Sequence, residues 1–242
     1  MHAFRYTPAL NPSLKPDDRR FSIGYIDRPD SAMTDTTPPQ SFDQGGRETD
    51  KARGVAEADE LTAIAANADS HQIPRWLLAE LRSDHAGEAG AVMIYQGILA
   101  ASKDPGVRRF ARHHLETELE HLGLMEQLLP ASSRTALLPV WRVMGWLTGA
   151  LPALFGANAV YATIDAVETF VDHHYQEQID RLAPDGEFAD LRELLLKCQQ
   201  DEIAHRDEAR HLTEGRPGVV LSCWQWIVGT GSSAAVVLAR RF

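Results

Sequence analysis

The chain has 242 residues, a formal net charge of −10 and two cysteines. That length suits one domain of ordinary size plus a tail, while the acidic balance and the lack of a basic stripe with interleaved aromatics argue against a nucleic-acid surface. Cys198 and Cys223 are too few for a disulfide framework and are not spaced as a zinc site, which suits a reducing compartment.

Residues 1–70 differ from the rest. Pro, Asp, Ser, Thr and Gly dominate residues 11–50 without a sustained apolar period, the composition of a disordered extension. The leading residues lack the apolar core of a secretory signal, and Asp17, Asp18, Asp27 and Asp30 spoil the acid-poor composition of a mitochondrial transit peptide. Met33 is an alternative start. The folded domain is expected over residues 71–242.

From Ile73 onward the pattern is helical. Pro74 suits a first turn, and the first long helix runs to about Ser102, where Lys103-Asp104-Pro105-Gly106 breaks it. Asp104 caps a second helix that ends at Pro130. An apolar connection follows over residues 137–155, too long for a hairpin loop. It contains one helix, because Val140, Trp141, Met144, Leu147 and Leu151 share a face. A third long helix is expected from Asn158 to Leu182, closed by Pro184-Asp185-Gly186, and a fourth from Glu187 to Thr213, closed by Gly215-Arg216-Pro217-Gly218. No alternating strand pattern competes. Residues 143–164 and 218–239 carry no charge and are long enough to span a bilayer. The first contains Pro152 and glycines, and the second contains Ser222, Gln225, Thr230, Ser232 and Ser233. Both features favour burial or an interfacial helix, with Trp141, Trp146, Trp224 and Trp226 as interfacial or core rings.

The chemistry lies on the four long helices. Glu118-x-x-His121 and Glu202-x-x-His205 each place a carboxylate and an imidazole on one helix face. Each pair is preceded by a helix carrying its own glutamate, Glu88 and Glu168. A single Glu-x-x-His is common by chance, but this order of Glu, pair, Glu, pair forms an internal two-fold repeat. It is also the ligand set of a carboxylate-bridged two-metal centre in a four-helix bundle. Four carboxylates neutralise two divalent ions, and buried together they make little sense without cations. Oxygen-rich ligands with two imidazoles and no thiolate point to iron or manganese, with two iron ions, Fe2+/Fe3+, as the principal reading. Tyr95 and Tyr175 lie two turns after Glu88 and Glu168, so each half is expected to set a phenol beside its own glutamate. Gly87 and Gly90 allow close approach of a helix or a flat ligand. His174 and Asp201 are candidates to orient the ligating imidazoles, whereas His85, His113, His173 and His211 read as ordinary helix residues. Gly229-Thr-Gly231-Ser-Ser-Ala follows no strand and carries no dinucleotide.

Several blocks in order resemble the demethoxyubiquinone hydroxylases: Asp84-His-Ala-Gly-Glu88-x-Gly90-Ala91, Ile94-Tyr95-x-Gly97, Glu118-x-x-His121, the run Arg-Thr-Ala-Leu-Leu-Pro-Val-Trp ending at Trp141, Ala166-Val-Glu168, His174-Tyr175-x-x-Gln178, and Asp201-Glu202-x-x-His205-x-Asp207. Ile98 stands where that family commonly has Gln. The resemblance implies an all-α, ferritin-like four-helix bundle with a long apolar crossover and a further C-terminal helix. It implies a di-iron monooxygenase that hydroxylates the ring of a demethoxyubiquinol with dioxygen in ubiquinone biosynthesis. The metal ligands would be Glu88, Glu118, His121, Glu168, Glu202 and His205, with Tyr175 joining the four glutamates as a catalytic residue. It implies an external reductant, NADH, other quinone-biosynthesis proteins as partners, and peripheral attachment to a membrane surface. That surface would be the cytoplasmic face of a bacterial inner membrane, or the mitochondrial inner membrane in a eukaryote. The competing readings on the same bundle are a ferritin- or rubrerythrin-like ferroxidase or peroxidase, and a non-catalytic scaffold.

Overall fold

A computed structural model describes residues 73–215 and 217–242; the expected extension over residues 1–70 and the alternative start at Met33 lie outside them. Among the described residues six α-helices occur in the order α1 (Arg75–Ala101), α2 (Pro105–Leu128), α3 (Leu138–Ala153), α4 (Ala157–Arg181), α5 (Ala189–Leu212) and α6 (Val219–Arg241), with a short 3-10 turn at Ala131–Ser133. No strand occurs among the described residues. The bundle is all-α, as its helical periods require.

The boundaries follow local chemistry. Asp104 caps α2, its Oδ1 accepting from the backbone N–H groups of Gly106 and Val107 at 2.7 and 2.9 Å, and Pro105 takes the first helical position where no N–H is needed. Pro74 is not within the first turn of α1. It occupies the N-cap with extended ψ of 142°. The turn around Pro184-Asp185-Gly186 carries on to Phe188, the N-cap of α5, so that helix starts two residues later than expected.

Short links make α1 with α2, and α4 with α5, antiparallel hairpins. Across the bundle α1 runs antiparallel to α4, because Tyr175 meets Glu88 while Tyr95 meets Glu168. α3 is the long crossover. It lies on α1 in the same direction, with Gly145 at Gly90 and Gly149 at Ile94, and so returns the chain to the end where α4 must begin. A Cβ on Gly149 would overlap the carbonyl oxygen of Ile94, and one on Gly145 would overlap that of Gly90. Gly149→Ala should therefore destabilise the fold by about 1–3 kcal/mol, the usual cost of overpacking. Gly123→Ala, where nothing lies within 4 Å, should be neutral or stabilising by up to about 1 kcal/mol. Urea midpoints of the two variants check this, and equal midpoints would contradict the tight α1–α3 crossing.

Two apolar clusters fill the bundle. Leu77, Leu81, Met125, Leu129, Ile179 and Leu195 belong to one end, and Ile94, Ile98, Phe110, Val160 and Ile164 to the other. Ile98 is fully buried in the second, so the departure at this position falls in an apolar setting. Each such buried side chain contributes about 1.5–3 kcal/mol. Between the clusters lies a band of buried polar groups.

Candidate metal centre

Four helices each present a carboxylate to this band: Glu88 from α1, Glu118 from α2, Glu168 from α4 and Glu202 from α5, all at most 4 % exposed. The three-residue spacing sets His121 and His205 on the same inner faces. The side chains form two overlapping groups, Glu88, Glu118, His121 and Glu202 in one, Glu118, Glu168, Glu202 and His205 in the other. Within each, the candidate ligand atoms all lie within 4.8 Å of one another, and either group could hold a metal ion. Glu118 and Glu202 are common to both.

The donor set fits a pair of cations. Both oxygens of Glu118, Oε2 of Glu202 and Nδ1 of His205 are buried without a hydrogen-bond partner, although His205 Nδ1 stands only 3.2 Å from Glu118 Oε1 and 3.3 Å from Glu202 Oε2. Buried carboxylates that lack donors are costly, and a shared cation removes that cost. His121 Nδ1 faces inward, 2.9 Å from Glu202 Oε1, while its Nε2 meets Asp201 Oδ2 at 3.1 Å. This is the arrangement in which a carboxylate fixes the tautomer and direction of a ligating imidazole.

The electrostatics report the crowding. Burial, with the charge of Glu202 added, lifts Glu118 and Glu168 well above the ordinary carboxylate range, and burial lifts Glu88 to about 7. Burial works the same way on Glu202, but His121 and His205 beside it carry it down to about 2. Without metal, the folded state thus holds more protons than the unfolded chain from about pH 4.5 to about 7, so stability falls as pH rises through that window. Glu202 acts oppositely, its contribution being lost as pH falls below about 4.5. The thermal midpoint of chelator-treated protein is expected to be higher at about pH 5 than at about pH 7.5, and metal addition is expected to raise it most at the higher pH. A chelated protein most stable at the higher pH would contradict the crowded site.

The tyrosines correct one expectation. Each phenol serves the glutamate of the other half: Tyr175 donates to Glu88 Oε1 at 2.5 Å and Tyr95 to Glu168 Oε1 at 3.4 Å. Two helical turns separate Tyr95 from Glu88 by about 10 Å along the axis, beyond a phenol's reach, whereas the antiparallel neighbour brings the other carboxylate level with the ring. His174 does not orient a ligating imidazole either. Its Nε2 lies 2.9 Å from Asp84 Oδ1, which also accepts from Gln178 at 2.8 Å. His113, His173 and His211 are exposed, but His85 is fully buried.

His114 was not singled out by sequence reasoning. Its ring packs 4.1 Å from that of His205, its Nε2 meets Glu208 Oε2 at 2.8 Å, and burial takes its pKa down to about 3, so it enters the band as a neutral ring. Its position seven residues before His121, on the same face, was the available signal.

An apolar cavity of about 550 Å³ reaches the centre from between α1, α3, α4 and α6, with Glu88, Glu118, Glu168 and Glu202 among its lining. Val140, Trp141, Met144, Leu147 and Leu151, the expected face of the crossover helix, all line it. Gly87, Gly90 and, from α6, Gly231 leave room for a flat molecule.

The family model described as ubiquinone biosynthesis protein COQ7 matches residues 75–239. The chain belongs to this family. It is 32% identical over 166 residues to a Caenorhabditis elegans protein named NADPH-dependent 3-demethoxyubiquinone 3-hydroxylase, mitochondrial, covering 66% of this chain and 88% of that one. It is 40% identical over 133 residues to the Rhodospirillum rubrum 3-demethoxyubiquinol 3-hydroxylase, covering 52% and 60%. To the Saccharomyces cerevisiae 5-demethoxyubiquinone hydroxylase, mitochondrial, it is 31% identical over 146 residues, covering 53% and 63%. The COQ7 match spans every helix from α1 into α6 and all six candidate ligands.

Proposed function

We propose that this COQ7-family chain is a di-iron monooxygenase that hydroxylates the ring of a demethoxyubiquinol with dioxygen, a step of ubiquinone biosynthesis. The observation that carries the reading is the pair of overlapping Glu/His groups at the end of an apolar cavity large enough for a quinol ring and part of an isoprenoid chain. The relatives' names supply the reaction. Glu88 and His121 would hold one iron, Glu168 and His205 the other, with Glu118 and Glu202 shared. The loaded pair would supply dioxygen activation. Tyr175 and Tyr95, by donating to Glu88 and Glu168, fix the outer oxygens of these carboxylates and leave the others for metal. The apolar walls exclude water and orient the ring. Electrons come from an external reductant, a reduced nicotinamide, as the name of the nematode relative suggests. A ferroxidase or peroxidase has no use for the cavity, and a scaffold has no use for six buried ligands. Restoration of ubiquinone in a host lacking its own hydroxylase is the test.

The cavity's outer walls support attachment to a quinone-bearing inner membrane. Val140, Val143, Met144, Leu151, Leu154 and Phe155 of the crossover region are exposed, as are Val219, Val220, Trp226, Ile227, Val237 and Leu238 of α6. α6 is long and apolar enough to cross a bilayer. It nevertheless lies along α4, its Trp224 Nε1 donating to Thr163 Oγ1 at 2.8 Å and its Arg240 bonded to Glu80 at 2.7 Å. A spanning α6 would drag these charged neighbours into hydrocarbon, so it is read as interfacial, with Arg240 held against the bundle and the exposed Arg241 toward the headgroups. Carbonate washing should release the protein from membranes. Retention through carbonate would mean an integral span.

A further inference from the structure

We infer that the two metal positions fill in order, the one built on His121 before the one built on His205, and that Asp201 sets this order; the inference rests on the two-metal reading above. The centre is a two-fold repeat, so each residue of one half has a counterpart in the other. Glu118 answers to Glu202, His121 to His205, and Glu88 to Glu168. The candidate ligands match across the repeat, but the groups behind the two imidazoles do not.

Asp201 directly precedes Glu202 on α5. Its Oδ2 reaches across to His121 Nε2 at 3.1 Å, while His121 Nδ1 faces the carboxylates, 2.9 Å from Glu202 Oε1. By accepting the outer N–H, Asp201 holds the tautomer whose inner nitrogen has a free lone pair and makes that nitrogen a stronger donor to a cation. The counterpart of Asp201, directly before Glu118 on α2, is the uncharged Thr117. Both close polar contacts of His205 are at Nδ1, Glu118 Oε1 at 3.2 Å and Glu202 Oε2 at 3.3 Å. Among the described residues none hydrogen-bonds its Nε2.

The repeat differs again four residues before each shared glutamate, with Cys198 in one half and His114 in the other. The His114 ring stands 4.1 Å from that of His205 at 61°, is held by Glu208 Oε2 at 2.8 Å, and has no hydrogen-bond partner at its Nδ1. His205 therefore has a packing neighbour where His121 has an anion. Packing limits the tilt of the ring without fixing a proton on its outer nitrogen. Loss of an outer partner lowers metal affinity by about 10–100-fold, so a limiting supply of divalent metal collects at His121. Filling the His205 position is then the step that completes the pair.

The test is titration of the metal-free full chain with Mn2+ in the absence of oxygen, followed by electron paramagnetic resonance, which separates an isolated ion from a spin-coupled pair. Wild-type protein should show the isolated ion through the first equivalent and the coupled pair only as the second is added. Glu168→Ala keeps the His121 position and Glu88→Ala the His205 position, and the first of these variants should bind Mn2+ about 10–100-fold more tightly. Asp201 is partly exposed, so Asp201→Ala leaves the core packed; it should bring the coupled spectrum forward to the earliest additions. Asp201→Asn, which keeps an acceptor oxygen, should restore the order. A coupled spectrum from the first addition to wild-type protein overturns ordered filling, and ordered filling that survives Asp201→Ala overturns the role of Asp201. A wild-type chain that never gives the coupled spectrum at saturating Mn2+ overturns the two-metal reading itself.

Discussion

Replacing Glu202 or Glu118 with alanine is expected to strip the protein of both metals, whereas Glu88→Ala or Glu168→Ala should leave about one per chain. The asymmetry comes from geometry alone. Glu118 and Glu202 belong to both candidate groups, while Glu88 and His121 belong to one and Glu168 and His205 to the other. Wild-type protein purified without chelators should carry two irons, because four carboxylates balance two divalent charges. The helical far-UV signal should persist in every variant, since the apolar clusters on either side of the centre carry the packing. Metal analysis with Mössbauer spectroscopy gives the stoichiometry. One metal per chain in the wild type, or the same residual content in all four variants, would refute the shared-carboxylate centre.

A strain that lacks its own hydroxylase should accumulate a demethoxyubiquinone, and the wild-type chain should restore ubiquinone while Glu168→Ala should not. Glu168 is a direct test because it is 1 % exposed and takes the hydroxyl of Tyr95 from the opposite half, so its removal opens one metal position and strands a buried phenol. Activity at background level is expected rather than the 10- to 100-fold losses, roughly, that follow from disturbing an outer partner of a ligand. Extraction and mass analysis of the quinones reads the outcome. Starting the chain at Met33 should rescue equally, as the composition of the leading residues predicts. Failure of rescue by folded, iron-loaded protein would put the ferroxidase or peroxidase reading ahead.

The six candidate ligands were legible because one face of a helix is a matter of counting: three residues separate Glu118 from His121 and Glu202 from His205, whatever the helices do next. The crossover helix was legible for a similar reason, since Val140, Met144 and Leu151 fall on one stripe, and that stripe lines the cavity. Counting along one helix could not give reach across two. Tyr95 and Glu88 share a face, yet the phenol finds Glu168, because only the antiparallel docking of α1 and α4 sets the real neighbours. His174 was read by residue type and went to Asp84 for the same reason. The close α1–α3 crossing depends on Gly145 and Gly149 of α3 meeting Gly90 and Ile94, a partner choice that periodicity does not contain.

The crossed phenols also bear on how the chain reaches its native state. Tyr95 and Glu168 are 73 residues apart and Tyr175 and Glu88 are 87, so neither hairpin holds a finished half of the centre. Long-range closures of this kind come after local helix formation. Bringing four carboxylates together before a cation arrives works against the closure. On the metal reading, loading would favour the last docking step, and chelator-treated protein should be cut by proteases more readily at the α1–α4 seam than at either apolar end.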